Sequence, residues 1–344
     1  MRSGLGVLNL LTQLRRLSTK MSKPSVYVTR PDVDASGLEL LRKSCDVSTW
    51  KEALPVPREE LLRQVVGKDA LYCALTDKID AAVLDAAGPQ LKCVSTISVG
   101  YEHIDVAECK KRGIRVGFTP DVLTDATAEL TVALLLATSR RLLEANKEVN
   151  NGGWKSWSPM WMCGQGLKGL RVGLLGFGRI GQEIAGRVFA FKPSQITYTT
   201  RTPRPQEASK VNAIHVDFEE MLRESDFIIV CCALTPETKE VFGTEAFAQM
   251  KPNCIFINTA RGGVVDQKAL YEALKTKRIQ AAGLDVTTPE PLPLTDPLLQ
   301  LNNVVILPHI GSADIETRKE MSRITARNIL AALAGDKMEA EVNK

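Results

Sequence analysis

The chain has 344 residues, more than one ordinary hydrophobic core supports, so we expect two domains. No apolar run reaches membrane-spanning length, and no internal repeat is visible. The formal net charge of +4 arises in residues 1–23, which hold five of the 44 basic residues and none of the 40 acidic ones. The remaining 39 basic residues therefore face 40 acidic residues, and we expect neither a nucleic acid nor a membrane as partner.

Residues 1–23 themselves mix leucines with arginine, serine and threonine. This composition is typical of an amphipathic mitochondrial transit peptide. It also fits an untranslated or disordered extension that precedes a true start at Met21. Both interpretations stay open, so the expected location is cytoplasmic, or mitochondrial if the segment is a transit peptide.

The eight cysteines form no C-x-x-C pair and fall mostly in apolar, strand-like runs. They are typical of reduced core cysteines in an intracellular protein, and their spacing predicts no metal site.

Strand-like and helix-like segments alternate from Ser25 onward, which predicts an α/β protein with parallel sheets covered by helices on both faces. The predicted segments are 25–29, 37–42, 70–75, 79–87, 92–96, 114–116, 196–200, 227–232, 254–258, 281–286 and 304–307. Residues 125–149 contain no glycine or proline and predict one long helix that connects two domains.

The strongest local motif is a short apolar run that ends in Gly176-x-Gly178-x-x-Gly181 and continues as a helical pattern. In a strand–turn–helix unit the first glycine permits the turn, the second admits a pyrophosphate to the backbone amides, and the third lets helix and strand pack closely. The motif predicts a dinucleotide site. The alternative is a purely structural glycine turn in another α/β protein.

The end of the next predicted strand carries no acidic residue of the kind that binds the ribose hydroxyls of NAD. It reads Arg201-Thr202-Pro203-Arg204, whose two guanidiniums could bind a 2′-phosphate bidentately. We therefore expect NADP(H), with NAD(H) as the weaker alternative. A solvated basic loop is the competing interpretation.

Three of the four tryptophans, Trp154, Trp157 and Trp161, lie in a loop that also contains glycine and proline. Aromatic side chains are costly to leave in water, so the loop should cover a partner subunit or pack within its own chain.

Candidate catalytic residues follow successive predicted strands. Because ligands bind at the carboxyl edge of such sheets, Arg261, Glu290 and His309 should converge there. A histidine can donate the proton that carbonyl reduction needs, a carboxylate can stabilise its protonated form, and an arginine can bind a carboxylate. Together they predict reduction of a 2-oxo acid. Taken singly, each residue has a structural alternative: Arg261 could cap a strand end, Glu290 could be a solvated turn residue, and His309 could be a structural histidine.

Several motifs resemble the D-isomer-specific 2-hydroxyacid dehydrogenase family over most of the chain from Ser25 onward. They are Ser98-Val-Gly-Tyr-Glu-His-Ile-Asp105, the glycine turn, Asn258-Thr-Ala-Arg261-Gly, Gly283-Leu-Asp285-Val, Pro289-Glu-Pro and Leu307-Pro-His309-Ile-Gly-Ser312. Within the family, Thr119-Pro-Asp-Val-Leu-Thr-Asp125, Gly152-Gly-Trp-Lys-Ser-Trp157 and Pro289-Glu-Pro-Leu-Pro resemble the vertebrate-type branch that reduces glyoxylate to glycolate and hydroxypyruvate to D-glycerate.

The resemblance implies two doubly wound parallel-sheet domains: a Rossmann cofactor domain (121–309, with a dimerisation helix and loop) inserted in a flavodoxin-like substrate domain (24–120 and 310–344). It implies His309 as acid/base, Glu290 as its partner and Arg261 on the substrate, in a homodimer. The implied substrate contacts are Val99, Gly100, Arg261, Asp285, His309, Ser312 and Trp157 of the neighbouring subunit. The implied NADP(H) contacts are Gly176, Gly178, Arg179, Ile180, Gly181, Arg201, Thr202, Pro203, Arg204, Ala233, Thr259 and Gly311.

One position departs from the family pattern, since Ala233 stands where a serine is frequent. The same family also includes corepressors that bind the cofactor and recruit peptides. The sequence leaves a binding protein of that kind open beside an enzyme.

Overall fold

A computed structural model describes residues 23–342 of the protein. The predicted transit peptide or extension lies, except for its last residue, outside the described residues. The chain divides into two compact units, one running to Thr119 and resuming at Lys319, the other Pro120–Arg318. The second boundary, between Arg318 and Lys319, lies within the last long helix. The sequence-based prediction divides the domains earlier, at residue 310.

The first unit is a five-stranded parallel sheet with helices between its strands. Its strands are β1 (Ser25–Val28), β2 (Asp46–Thr49), β3 (Ala70–Cys73), β4 (Cys93–Thr96) and β5 (Arg115–Gly117), and its helices up to β5 are α1 (Ala35–Ser44), α2 (Arg58–Gln64), α3 (Ala81–Ala87) and α4 (Val106–Lys111). The strand order β2-β1-β3-β4-β5 is that of flavodoxin-like sheets. Asp34, Asp80 and Asp105 cap the amino ends of α1, α3 and α4 with their side chains.

The second unit contains a seven-stranded parallel sheet. Its strands are β6 (Arg171–Leu175), β7 (Gln195–Thr199), β8 (Ala213–His215), β9 (Phe227–Val230), β10 (Ile255–Asn258), β11 (Ala281–Leu284) and β12 (Val304–Ile306). Its helices are α5 (Thr124–Ser139), α6 (Leu142–Asn150), α7 (Arg179–Phe189), α8 (Pro205–Ser209), α9 (Phe218–Glu224), α10 (Thr244–Gln249) and α11 (Gln267–Lys275), and α12 (Ile315–Ala334) runs across the boundary into the first unit. Short 3-10 helices lie at Gly262–Val264 and Pro297–Gln300.

The strand order of this sheet is β12-β11-β10-β9-β6-β7-β8. All strands are parallel, and the sequence order in which they are added reverses between β6 and β9, as in a Rossmann fold. The central strands are apolar because helices cover both faces; β9 and β10, for example, are buried along their whole length. The predicted fold class, two doubly wound parallel sheets, is confirmed.

The prediction of one helix over 125–149 was wrong. The helix ends at Ser139, and a second begins at Leu142 after Arg141, whose φ of 56° is left-handed. The amide of Gln165 donates to the Ser139 carbonyl (2.8 Å), and a side chain at Gly164 would overlap that carbonyl. A distant loop therefore packs on the end of α5, a tertiary cause that the helical pattern of the sequence does not contain.

Between residues 23 and 342, no helix combines the length and apolar character that a membrane span requires. All eight cysteines are free thiols; seven are buried or half-buried, and Cys163 is exposed.

Candidate active site

The carboxyl edge of the seven-stranded sheet gathers the residues that the sequence singled out in the second unit. Adjacent strands β9, β10, β11 and β12 all run parallel, so the segments that follow them leave the sheet at one edge. Arg261 follows β10, Glu290 follows β11 and His309 follows β12. The structure thus brings together the three residues predicted to carry the chemistry.

His309 and Glu290 form a hydrogen-bonded pair. The His309 Nδ1 atom lies 2.8 Å from Glu290 Oε2, and the two side chains are 27% and 31% exposed. The other carboxylate oxygen of Glu290 accepts the amide of Thr287 at 3.1 Å. Both oxygens are therefore held, which fixes the direction from which the carboxylate meets the imidazole.

The protonation state of Glu290 determines how the ring is used. Burial raises the pKa of Glu290, but the hydrogen bond and charge of His309, the Thr287 amide and the charge of Arg261 together lower it below its usual value. An ionised carboxylate only accepts hydrogen bonds, so Nδ1 of His309 carries the hydrogen of this pair. The second ring nitrogen, Nε2, is then left for a proton exchanged with a substrate.

Asp285 holds the backbone that carries His309. Its carboxylate oxygens accept the amides of Ile310 and Gly311 at 2.8 Å each, and its carbonyl accepts the His309 amide at 2.9 Å. His309 has a left-handed φ of 55°, which these three bonds fix. Asp285 is only 1% exposed, and burial raises its pKa despite the amides and the charge of His309. This geometry makes Asp285 a positioning residue for His309, and its predicted contact with a substrate stays a prediction.

Arg261 begins a tight turn after β10 that depends on Asn258. The side-chain amide of Asn258 donates to the Arg261 carbonyl (2.9 Å), and its oxygen accepts the Ala260 amide (3.0 Å). Asn258 is 1% exposed. The next residue, Gly262, lies so close to the Thr287 carbonyl that any side chain there would overlap it. The Arg261 turn and the Glu290 loop therefore pack directly against each other.

Sequence reasoning did not assign a role to Asn258, although one signal was available. It is the only polar residue in the run Ile255–Asn258, and it stands at the carboxyl end of that buried strand. Polar residues that are buried at such a position need partners, and here the partners are backbone groups of the functional turn.

Thr259, a predicted cofactor contact, lies at the same edge. Its hydroxyl is 2.8 Å from that of Thr131 in α5, which itself donates to the Thr127 carbonyl. Since the single proton of Thr131 is used, Thr259 donates to Thr131 and keeps its lone pairs for a further partner. Ala233, after β9, is exposed, and its carbonyl accepts the Thr238 hydroxyl at 2.8 Å.

The glycine turn has the geometry that the motif predicts. Gly176 has a φ of 101°, and a side chain there would lie 2.7 Å from the Cys231 carbonyl. A side chain at Gly181 would lie 2.6 Å from the Gly176 carbonyl, so close packing requires glycine at both positions. Nothing lies within 4 Å above Gly178, which precedes α7. Arg179 pairs with Asp121 at 2.5 Å, and Ile180 packs against the core.

The basic loop after β7 is exposed from Arg201 to Arg204, including Thr202 and Pro203. It is anchored through its backbone, because the Arg204 amide donates to the Tyr198 hydroxyl at 2.8 Å. A hydrogen bond from Thr235, with the charge of Arg201, lowers the pKa of Glu237, which places a carboxylate near this loop.

The other predicted substrate-binding positions are Val99, Gly100, Trp157 and Ser312. Val99 and Gly100 follow β4 in the first unit, where the Ser98 hydroxyl donates to the Gly100 carbonyl at 2.7 Å. Trp157 is 80% exposed in the loop after α6. Ser312 follows His309 closely, and its carbonyl accepts Nε of Arg318 at 3.0 Å.

The family model "D-isomer specific 2-hydroxyacid dehydrogenase, NAD binding domain" matches residues 132–311, more than half of the chain and all of the cluster described above. The chain belongs to the D-isomer specific 2-hydroxyacid dehydrogenases. The predicted resemblance is confirmed, and with it the prediction of an oxidoreductase.

Relatives within these dehydrogenases match along nearly their whole length. The chain is 53% identical over 319 residues to glyoxylate reductase/hydroxypyruvate reductase of Mus musculus, covering 92% of this chain and 97% of the mouse protein. It is 47% identical over 326 residues to glyoxylate reductase of Thermofilum pendens, covering 94% and 96% of the two chains. The crystal structure of an NADPH-dependent glyoxylate/hydroxypyruvate reductase from Sinorhizobium meliloti, in complex with NADP and malonate, matches with a TM-score of 0.80 at 32% identity, covering 93% and 97%.

Proposed function

We propose that this dehydrogenase uses NADPH to reduce glyoxylate to glycolate and hydroxypyruvate to D-glycerate. The observation that carries the proposal is the His309–Glu290 pair, 2.8 Å apart, at the carboxyl edge of a Rossmann sheet. The names of the relatives from mouse and Sinorhizobium meliloti support the same substrates. A 2-oxo acid fits the site chemically, because it offers a carbonyl oxygen to protonate and a carboxylate to bind.

The residues present fit a dinucleotide. Gly176 and Gly181 allow the turn to pack tightly, and the space above Gly178 is open. Within the described residues, no side chain caps the amino end of α7, so its backbone amides and positive dipole can bind phosphate. When bound, reduced nicotinamide supplies the hydride that reaches the carbonyl carbon of the substrate.

The side chains of the cluster then divide the remaining work. Arg261 binds the substrate carboxylate and polarises the adjacent carbonyl. His309 donates the proton from Nε2 to the oxygen on which charge develops. Glu290 holds the ring through Nδ1 and stabilises its protonated form. The backbone of Val99 and Gly100 remains our proposed further contact for the substrate carboxylate.

We propose NADP(H) as the preferred cofactor and NAD(H) as the weaker one. No acidic residue ends β7, and Arg201 and Arg204 are exposed and able to bind a 2′-phosphate. We also propose a homodimer. Support comes from the exposed apolar side chains of Leu142, Trp154 and Trp157, which are 52%, 59% and 80% exposed in the described chain.

The test is NADPH oxidation by the purified protein with a panel of 2-oxo acids that includes glyoxylate and hydroxypyruvate. We expect turnover of both, and we expect His309→Gln to lower kcat by roughly 10²-fold or more while NADPH affinity is largely retained. Tight NADPH binding without turnover of any 2-oxo acid would contradict the proposal and favour a cofactor-binding regulatory protein.

A further inference from the structure

The loop that carries Glu290 is held at both ends by one side chain outside the cluster. Gln267 is the first residue of α11, and its Oε1 accepts the amide of Thr288 at 3.0 Å. Its Nε2 donates to the Asp296 carboxylate at 2.8 Å. Thr288 and Asp296 lie on either side of Glu290, so Gln267 closes the Glu290 loop.

The residues at both ends of the Gln267 link are themselves held by hydrogen bonds. Asp266 caps α11 by accepting the amides of Lys268 and Ala269, which sets the position from which the Gln267 side chain departs. The second oxygen of Asp296 accepts the amide of Leu298, a residue with no exposed surface. Gln267 therefore connects two anchored points.

Few hydrogen bonds separate Gln267 from the His309–Glu290 pair. Its contact Thr288 follows Thr287, whose amide donates to Glu290 Oε1 and whose hydroxyl donates to the Pro289 carbonyl at 2.8 Å. A displaced Thr288 would move this amide, and with it the carboxylate oxygen that it holds. Because Glu290 meets His309 through its other oxygen, the displacement would reach the hydrogen bond at Nδ1.

We propose that Gln267 is a positioning residue for Glu290 and acts on catalysis only through the Glu290–His309 hydrogen bond. The inference rests on the proposed reduction of a 2-oxo acid and adds a residue that belongs to none of the motifs above. The side-chain amide of Gln267 uses its oxygen as an acceptor and its nitrogen as a donor. A shorter side chain would not span both contacts, and a charged side chain offers only donors or only acceptors. The other charged groups that face the pair, Arg261 and Asp285, are held by contacts of their own.

Gln267→Ala should lower kcat for glyoxylate by roughly tenfold, with unchanged NADPH affinity, because a shift of the carboxylate weakens its contact with His309. The pH at which the rate falls should also move down, as in a protein without the Glu290 charge. Gln267→Met, which keeps the length of the side chain and loses both hydrogen bonds, provides the same test if the alanine protein folds poorly.

Gln195→Ala is the matched control. Gln195 donates to the Ile196 and Asn212 carbonyls, at 2.9 Å each, and starts β7 at the opposite edge of the same sheet. The Gln195→Ala protein loses two hydrogen bonds, as the Gln267→Ala protein does, and its pH profile should be unchanged.

A double-mutant cycle separates this inference from the proposed function. In a Glu290→Ala protein, adding Gln267→Ala should cost less than about twofold, since the group it positions is gone. A full tenfold further loss, or an unmoved pH profile in Gln267→Ala, would overturn the positioning role while wild-type turnover still upheld the reductase. No turnover in the wild-type protein would instead refute the proposed function itself.

Discussion

Replacing Glu290 with Gln should move the pH dependence of reduction while leaving the shape of the site intact. Glutamine keeps the side-chain length and can accept the hydrogen bond from His309 Nδ1, now 2.8 Å from the carboxylate, but it removes the negative charge. In the reduction direction His309 must enter protonated, so the rate falls as the ring loses its proton at rising pH. Without the charge of Glu290 the protonated ring is less stable, and the fall should occur at lower pH.

The size of the shift follows from the geometry of the pair. A charge-assisted hydrogen bond contributes about 1.5 to 3 kcal/mol. The side chains are 27% and 31% exposed, so water screens the charge and the lower end of that range applies. About 1.4 kcal/mol corresponds to one pH unit, so the midpoint of the descending limb should move down by about one unit.

Titration of Glu290 itself does not produce this limb. The hydrogen bond and charge of His309, with the Thr287 amide and Arg261, outweigh burial and lower the pKa of Glu290. Its charge is therefore lost only as pH falls through that lowered pKa, and it is fully present in the neutral range. The limb at higher pH reports another group, and removal of Glu290 tests whether that group is its partner.

The assay is kcat/KM for glyoxylate, from initial rates of NADPH oxidation between about pH 5 and pH 10. Glu224→Gln is the control, since Glu224 pairs with Arg171 at 2.7 Å at the amino edge of the sheet. That protein should show the wild-type profile. An unmoved midpoint in the Glu290→Gln protein would show that Glu290 and His309 do not act as a pair, and Glu290 would then be a structural turn residue.

Three further changes test other parts of the molecule. Changing Arg201 and Arg204 together to Ala should weaken NADPH binding by about 2 kcal/mol and NADH binding far less; equal losses in a binding titration would refute the 2′-phosphate assignment. Trp157→Ala should raise KM for bulky 2-oxo acids more than for glyoxylate; a monomer by sedimentation with unchanged activity would contradict the proposed dimer. Asp285→Asn should lower the free energy of unfolding by about 1 to 3 kcal/mol, because one amide of the His309 loop loses its acceptor; unchanged urea denaturation would argue against this clamp.

Local patterns were sufficient for the sheets and the glycine turn. Alternation of short apolar runs with helical patterns predicts parallel strands, and Gly176 and Gly181 occupy positions where any side chain would overlap a neighbouring carbonyl. The break at Arg141 was not predictable in the same way. Nothing in residues 125–149 interrupts a helix, and its cause, the Gly164–Gln165 backbone on the Ser139 carbonyl, comes from a later segment of the chain.

The sequence did not identify the residues that support the site, for a related reason. Gln267 and Asp296 are 29 residues apart, and neither residue type is unusual at the start of a helix or in a proline-rich turn. Only the folded chain shows that the two meet across the Glu290 loop. Sequence motifs identify groups that perform chemistry, whereas groups that position them depend on distances that the sequence does not contain.

The two carboxylates that follow β11 show why roles cannot be assigned from residue type alone. Asp285 is buried, burial raises its pKa, and both of its oxygens accept backbone amides. Glu290 is partly exposed, and contacts that favour its ionised form lower its pKa. Neighbouring carboxylates whose pKa values are displaced in opposite directions serve different purposes. Of the two, only Glu290 presents a charged oxygen to the His309 ring, so the electrostatic partner of the proposed acid is Glu290, and Asp285 acts on that acid through its backbone.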